Sequence, residues 1–326
     1  MFHIKEQVWT DIDDGQQEAN RLVNAAMTGI KGRMGELTAY LAKSTGKGIR
    51  TQVLLCAAMD DEGRVPKDSA KAAAAIELLH MATLIHDDVI DDADLRRGHP
   101  TLHKKFGNKG AVLCGDYLLS LSILTLAGME VENNKIIGTY SYYTPKLAKA
   151  LADVCQGEFD QHLHNGNIDL PVFTYLRIIA GKTAALFYFA AFLGGMIGGE
   201  DEANVLALGR FGRQLGMVFQ IVDDCKDYEW SESKAQKPVG NDPKNGVITL
   251  PLIMALGKNP SLRKQAQEVI RDRAAVASLL AAVRGTNGAG MARELARRFQ
   301  EKAVRSLEGV RVRKREELLS LLHSVL

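Results

Sequence analysis

The chain is poor in the residues that interrupt helices: its 326 positions hold only 8 prolines, and its aromatic content is 6%. Alternating apolar and polar segments rich in β-branched residues are missing. Ala and Leu instead recur in long runs with a 3.6-residue period, so an all-α fold is expected. Cysteine is scarce too. Cys56, Cys114, Cys155 and Cys225 stand far apart, with no Cys-x-x-Cys pair and no histidines at metal-ligand spacing, which argues for buried thiols in a reducing compartment. Charge of one sign is lacking, since Lys+Arg 41 against Asp+Glu 39 leaves +2; no nucleic-acid partner is expected, and electrostatic recognition must come from local clusters. No run reaches about 18 uninterrupted apolar residues. The start, MFHIKEQVWTDIDDGQQ, lacks a basic segment followed by an apolar one, and a soluble cytoplasmic protein is expected.

Linkers and short repeats are also absent, so residues 1–326 are read as a single all-α domain, with 46% hydrophobic residues to build its core. Turn signals cut the chain at STGKG (44–48), DDEGRVP (60–66), RRGHP (96–100), HNGNIDLP (164–171), GGED (198–201), KPVGNDPKNG (237–246), GKNP (257–260) and RGTNGAG (284–290). One long-range echo stands out. IHDDVIDDADL (85–95) and QIVDDCKDYEW (220–230) each run an apolar helix into Asp-Asp-x-x-Asp.

Residues four apart on a helix lie one above the other, so Asp87 shares a face with Asp91, and Asp223 with Asp227. Acids are disfavoured at a helix C-terminus, where both clusters fall, and a bound cation would offset that cost. Mg²⁺ takes one or two carboxylates together with substrate phosphates, so two such pairs facing each other suit a polyphosphate bridged by Mg²⁺. EF-hand spacing is absent, and His86 points about 100° away from Asp87, against a zinc site. The competing reading is a solvated acidic helix end.

With both clusters in view, the sequence resembles the trans-isoprenyl diphosphate synthases. The first acidic motif of that family appears as Asp87-Asp88-Val89-Ile90-Asp91 followed by Arg96-Arg97-Gly98, and the second as Gln220-Ile221-Val222-Asp223-Asp224-Cys225-Lys226-Asp227. Gly46-Lys47-Gly48-Ile49-Arg50, Glu77-Leu78-Leu79-His80, Cys114-Gly115-Asp116, Gln156-Gly157-Glu158, Gly181-Lys182-Thr183 and Lys237-Pro238-Val239-Gly240-Asn241-Asp242 also match, so the likeness runs from about residue 40 to 255. Three positions depart from it: Gly48 stands for an arginine, Thr51 for a proline, and Lys226 for an aliphatic residue.

The resemblance implies a helical bundle with a central apolar tunnel, in which an allylic diphosphate ionises and isopentenyl diphosphate adds to the cation. It implies Mg²⁺ on Asp87, Asp91 and Asp223, with Asp88, Asp224 and Asp227 completing the inner or outer shell. Arg96, Lys182, Thr183, Gln220 and Lys237 match contacts to the allylic diphosphate; Lys47, Arg50, His80 and Arg97 match the basic pocket for isopentenyl diphosphate. On an ideal helix His80 shares the Asp87 stripe, which suggests a kink or a long side-chain reach. Asp116 and Glu158 are expected only to orient helices, and Asp92 and Asp94 have no role.

Product length in such a family follows from the turn before Asp87. Ala82 and Thr83 are small there, with Leu79 a turn further down, which implies an open tunnel and a product of about C30 to C40 for quinone side chains. The rivals are a class I terpene synthase, which has a different second motif and no second basic pocket, and a catalytically silent regulatory subunit, which two intact acidic motifs oppose. A homodimer through Ala111 to Leu126 is expected by resemblance. The basic stretches Arg293–Arg298 and Arg311–Arg315 are read as solvated faces with at most transient membrane contact.

Overall fold

The computed structural model describes residues 9–42, 48–127, 129, 143–229, 240–271, 276–308 and 315–326. Lys47, Lys237 and the stretch 311–314 lie outside the described residues. In chain order the helices are α1 (Ile12–Thr28), α2 (Gly32–Leu41), α3 (Ile49–Ala58), α4 (Asp68–Ile90), α5 (Leu102–Phe106), α6 (Asn108–Ala127), α7 (Tyr143–Leu163) and α8 (Val172–Ile179). A π-helical turn, Ala180–Ala184, leads into α9 (Ala185–Ile197) and α10 (Glu202–Glu229). Then come α11 (Asn241–Lys244), α12 (Leu250–Lys258), α13 (Leu262–Arg271), α14 (Val276–Gly285), α15 (Gly288–Ser306) and α16 (Arg315–Ser324). The all-α expectation holds. Among the described residues, strand structure is limited to two antiparallel ribbons that periodicity did not announce: β1 (Trp9–Asp11) with β2 (Arg64–Pro66), and β3 (Leu95–Arg96) with β4 (His99–Pro100).

The chain divides into two compact units: Met1–Pro145, Ala190–Gly209 and Gly309–Leu318 form the first, and Lys146–Phe189, Arg210–Glu308 and Leu319–Leu326 the second. In the first, α4 is apolar on nearly every side through Ala72–Ile76, and a helix of that kind belongs in a core. Its alanines let α6 approach closely. Leu78, Ala82 and Ile85 of α4 meet Ala111, Cys114 and Leu118 of α6, and the Ser122 hydroxyl, buried among them, donates to the Ala75 carbonyl at 2.8 Å. At the start of the unit, Asp11 caps α1 by accepting from the Asp13 N–H.

In the second unit Leu215, Val218, Ile221, Val222 and Cys225 form the buried stripe of α10. The Phe219 ring packs 5.4 Å from that of Phe187. On α15 the small residues Ala292, Ala296 and Ala303 face inward, and the Cys225 thiol donates to the Ala289 carbonyl. Cys56, Cys114 and Cys225 are buried as expected, whereas Cys155 on α7 is exposed. Two helical stretches, α6 and Val172–Ile197, are long and apolar enough by length and composition to cross a membrane, and most of the second is buried.

Candidate functional site

In the first unit, α4 places Asp87 and Asp88 in its last turn and Asp91 at its C-cap, and that turn has no basic residue of its own. The helix closes in a Schellman motif: the Ala93 N–H donates to the Asp88 carbonyl at 3.0 Å and the Asp92 N–H to that of Val89 at 3.4 Å. Asp92 sits in the left-handed region, at φ 49°. Both surplus acids thereby acquire a task. Lys104 Nζ lies 2.8 Å from Asp92 and 3.0 Å from Asp94, and the buried His103 reaches Asp92 at 3.3 Å while its other ring nitrogen meets the Thr101 hydroxyl at 3.1 Å. Thr101 in turn donates to the Ala93 carbonyl at 2.6 Å. This brace fixes the segment after α4, and sequence reading missed it; the acids and bases it joins lie within about a dozen residues, and local charge balance was the available signal.

Beyond the brace, β3 and β4 form a hairpin whose two turn residues, Arg97 and Gly98, both have positive φ, 52° and 79°. That is the handedness a two-residue hairpin demands. It turns Arg96 back onto Asp88: Arg96 Nε donates to both carboxylate oxygens at 2.8 and 2.9 Å, and Nη2 lies 2.7 Å from Oδ1. Asp88 is buried and Arg97 exposed.

The basic residues gather around His80. Arg50 Nη1 is 3.1 Å from His80 Nε2, an N–H donation that requires an unprotonated imidazole nitrogen. Burial, then the nearby charges of Arg50, Arg96 and Arg97, hold the His80 imidazole well below its ordinary range. Burial likewise pulls the Arg50 guanidinium down to about 10, still cationic at neutral pH, with Glu77 and Asp87 acting in the opposite direction. Glu77 stands beside Arg50 and Arg97; burial raises its carboxyl, while those cations and a hydrogen bond from Thr51 lower it. Two departures from the family pattern thus gain a physical reason. Thr51 supplies that hydrogen bond, and Gly48, left-handed at φ 61°, begins α3 in a conformation that favours glycine. No kink is needed to bring His80 into the set, because α4 runs unbroken from Asp68 to Ile90 and Arg50 reaches it from α3.

Of the residues read as setting product length, Leu79 and Ala82 are buried in the unit's core and Thr83 is partly exposed. The Thr83 hydroxyl is turned onto the His80 carbonyl at 2.8 Å.

In the second unit, the last two turns of α10 carry Asp223, Asp224 and Asp227, which the helix distributes to different surroundings. Asp223 is partly exposed. Asp224 is buried, and its two oxygens accept from the Tyr175 hydroxyl at 2.5 Å and from Gln220 Nε2 at 2.7 Å. Burial pushes the Asp224 carboxyl up to about 7, against the lowering effect of those two hydrogen bonds. Asp227 accepts the backbone N–H groups of Gly240 and Asp242 at 3.1 and 3.0 Å, tying the end of α10 to the start of α11. Asp88, Asp224 and Asp227 each accept from protein donors. Asp87, Asp91 and Asp223 offer hard oxygen donors of the kind a divalent cation prefers.

The π-helical turn after α8 carries Lys182 and Thr183, and such insertions recur at functional sites. Lys182 Nζ lies 2.7 Å from Glu158 Oε2, a charge pair more than an aligned hydrogen bond. The Thr183 hydroxyl donates to Gln220 Oε1 at 2.7 Å. Gly157 lets α7 cross this turn: a Cβ there would stand 2.2 Å from the Lys182 backbone nitrogen. A cleft of about 470 Å³ in the same unit is lined by Asp153, Gln156, Arg177, Arg213, Met217 and Phe299 among others, and none of the motif aspartates borders it. Tyr175 escaped the sequence reading because an aromatic residue in an apolar helix reads as core.

A family model described as "Polyprenyl synthetase" matches residues 32–284. The heptaprenyl diphosphate synthase component 2 of Geobacillus stearothermophilus is 36% identical over 311 residues, 95% of this chain and 92% of that protein. Among solved structures, heptaprenyl diphosphate synthase from Staphylococcus aureus superposes with a TM-score of 0.85 at 29% identity, covering 97% of this chain and 98% of the other. A polyprenyl synthase from Caulobacter crescentus, complexed with calcium and isoprenyl diphosphate, gives 0.84 at 29% identity, covering 96% and 94%.

Proposed function

Because the chain belongs to the polyprenyl synthetase family of prenyltransferases, we propose that it condenses isopentenyl diphosphate with an allylic diphosphate to an all-trans polyprenyl diphosphate of about C30 to C40, a precursor of quinone side chains. The observation that carries this reading is the second basic set, Arg50 with His80 and Arg97, in the same unit as Asp87 and Asp91. An enzyme that only ionised one diphosphate, such as a terpene synthase, would have no use for it.

In the reaction the C–O bond of the allylic diphosphate breaks and its electron pair leaves with the diphosphate. The isopentenyl double bond then forms the new C–C bond at the allylic carbon, and the proton lost in restoring a double bond goes to the released diphosphate. Asp87, Asp91 and Asp223 would hold Mg²⁺, whose charge when bound offsets that gathering on the leaving group. Arg96, Lys182, Thr183, Gln220 and Lys237 bind the allylic diphosphate. Asp88 holds Arg96 for this task and Glu158 holds Lys182, while Asp224 and Asp227 fix the end of α10. Lys47, Arg50 and Arg97 bind the second diphosphate, with neutral His80 completing the Arg50 hydrogen bond. Ala82 and Thr83, above Leu79, leave room for a long product.

The protein works as a single domain, soluble in the cytoplasm and with at most transient membrane contact. It forms a homodimer through α6, where Val112, Leu113, Tyr117 and Leu124 are exposed, and light scattering should give twice the 35.6 kDa chain mass. The relative named component 2 motivates a second reading, a silent or partner-dependent subunit of a heteromeric synthase. Incubation with labelled isopentenyl diphosphate, Mg²⁺ and farnesyl or geranylgeranyl diphosphate decides between them. Linear C30 to C40 products are expected; no incorporation by the chain alone would favour the partner-dependent reading, and a cyclic hydrocarbon from allylic substrate alone would favour a terpene synthase.

A further inference from the structure

Asp224, Gln220 and Thr183 form one hydrogen-bonded chain whose far end is Tyr175, a fully enclosed residue of α8 that no motif includes. Its polarity is set by the groups themselves. The Tyr175 O–H donates to Asp224 Oδ2 at 2.5 Å, Gln220 Nε2 donates to Asp224 Oδ1 at 2.7 Å, and the Thr183 O–H donates to Gln220 Oε1 at 2.7 Å. An amide can turn over, and only its partners decide which end faces where. In its ionised form Asp224 accepts on both oxygens, which fixes the amide with its NH₂ toward the carboxylate and its oxygen toward Thr183. Tyr175 is what holds Asp224 in that orientation, because a carboxylate with one oxygen unpaired in a buried setting rotates or takes in water.

We propose that Tyr175 is a positioning residue for prenyl transfer: through Asp224 it sets the orientation of Gln220 and Thr183, and so the fit of the site for the allylic diphosphate. The inference rests on the assignment of Gln220 and Thr183 to that substrate. Tyr175, Asp224, Gln220 and Thr183 belong to the second unit and Arg50, His80 and Arg97 to the first, so the affinity for isopentenyl diphosphate is expected to stay unchanged. A purely structural role would instead lower the amount of active protein and leave both affinities as they were.

The test is equilibrium binding, with Mg²⁺ present, of farnesyl S-thiolodiphosphate, an unreactive allylic analogue, and separately of isopentenyl diphosphate, to the wild-type chain and to Tyr175→Phe. The expected result is a Kd for the analogue raised about tenfold, as for loss of one buried hydrogen bond, with that for isopentenyl diphosphate within twofold. Equal changes for both ligands, or none for the analogue, overturn the proposal. Asp224→Asn provides a second variant should Tyr175→Phe fold poorly: with Tyr175 still donating to the side-chain oxygen, the new NH₂ faces Gln220 and forces its amide to turn over. The same analogue-selective weakening is expected, and unchanged binding overturns the proposal. Turnover of the wild type is measured apart from this, so its absence would count against the proposed reaction while the binding ratios still judge Tyr175.

Discussion

Replacing Asp88 by asparagine separates two roles that an aspartate-rich motif leaves open, metal ligand and anchor for an arginine. Three contacts of 2.7 to 2.9 Å join Arg96 to Asp88, and charge-assisted hydrogen bonds of this kind contribute about 1.5 to 3 kcal/mol. The Arg96 side chain is 39% exposed and that of Asp88 8%, so water recovers part of what the arginine loses. The lower half of the range, about 1.5 to 2 kcal/mol, is the reasonable expectation. That corresponds to roughly 10- to 30-fold in kcat/KM for the allylic diphosphate. The assay is a double-mutant cycle of Asp88→Asn, Arg96→Gln and the pair, run across a Mg²⁺ titration. The two single effects should be strongly non-additive, with a coupling energy of about 1.5 to 2 kcal/mol, and the Mg²⁺ concentration for half-maximal rate should stay near that of the wild type. Asp87→Asn should raise that concentration sharply. Additive effects of Asp88 and Arg96, together with a raised Mg²⁺ requirement in Asp88→Asn, would refute the anchoring role and make Asp88 a metal ligand.

Gly157→Ala should cost about 1 to 3 kcal/mol or more of stability, because its Cβ would meet backbone at 2.2 Å and backbone cannot move aside cheaply; a thermal melt within a degree of wild type would contradict this. His80 has its folded-state pKa held below the ordinary 6.5. On acidification the unfolded chain therefore takes up a proton that the folded chain refuses, and stability falls as pH drops below about 6.5. The loss from this group builds up as pH falls from about 7.5 to about 5.5. Denaturant melts of His80→Gln should show a smaller loss of stability over that window than the wild type, and an identical loss would refute the shift. Thr83→Phe, at a partly exposed position one turn before Asp87, should shorten the product by at least one isoprene unit, each spanning about one helical turn, as read by reversed-phase thin-layer chromatography of the hydrolysed product. An unchanged chain-length distribution would exclude that stripe as the tunnel wall.

Much of the fold was legible in the sequence, because helices are specified by local periodicity. The breaks DDEGRVP, HNGNIDLP and GGED fall where α3, α7 and α9 end. The hairpin carrying Arg96 was not legible: two-residue strands have no periodicity to detect, and only the Arg97-Gly98 turn marks it. At the candidate site, the acids and bases could be recognised by type and spacing, but their partners could not. Thr51 beside Glu77, Glu158 beside Lys182 and Tyr175 beside Asp224 are pairings between separate helices or helical turns, and no spacing rule links positions 26, 24 or 49 residues apart. The tension over His80 arose for the same reason. Its stripe on α4 was read correctly, while the approach of Arg50 from α3 is a matter of packing.

The echo between the two acidic motifs extends to their division of labour. Asp88 and Asp224 are the second aspartate of each Asp-Asp-x-x-Asp, both buried, and each is held by a donor from another segment, Arg96 in one case and Tyr175 in the other, with Gln220 of the same helix as the second donor to Asp224. Helix geometry accounts for this: the first and fifth positions share a face, and the second lies about 100° around the helix. If the first aspartate of each motif serves a cation, the second faces neighbouring protein, where a buried carboxylate must have donors or lose its charge. The donors chosen are side chains assigned to the same diphosphate or fixed to one that is. The doubled aspartate then joins a metal ligand to an anchor that orients the basic or amide side chain used on the leaving group. On this reasoning the two aspartates are not interchangeable: Asp87→Asn leaves Arg96 in place and sharply raises the Mg²⁺ requirement, while Asp88→Asn leaves that requirement intact and raises the allylic KM.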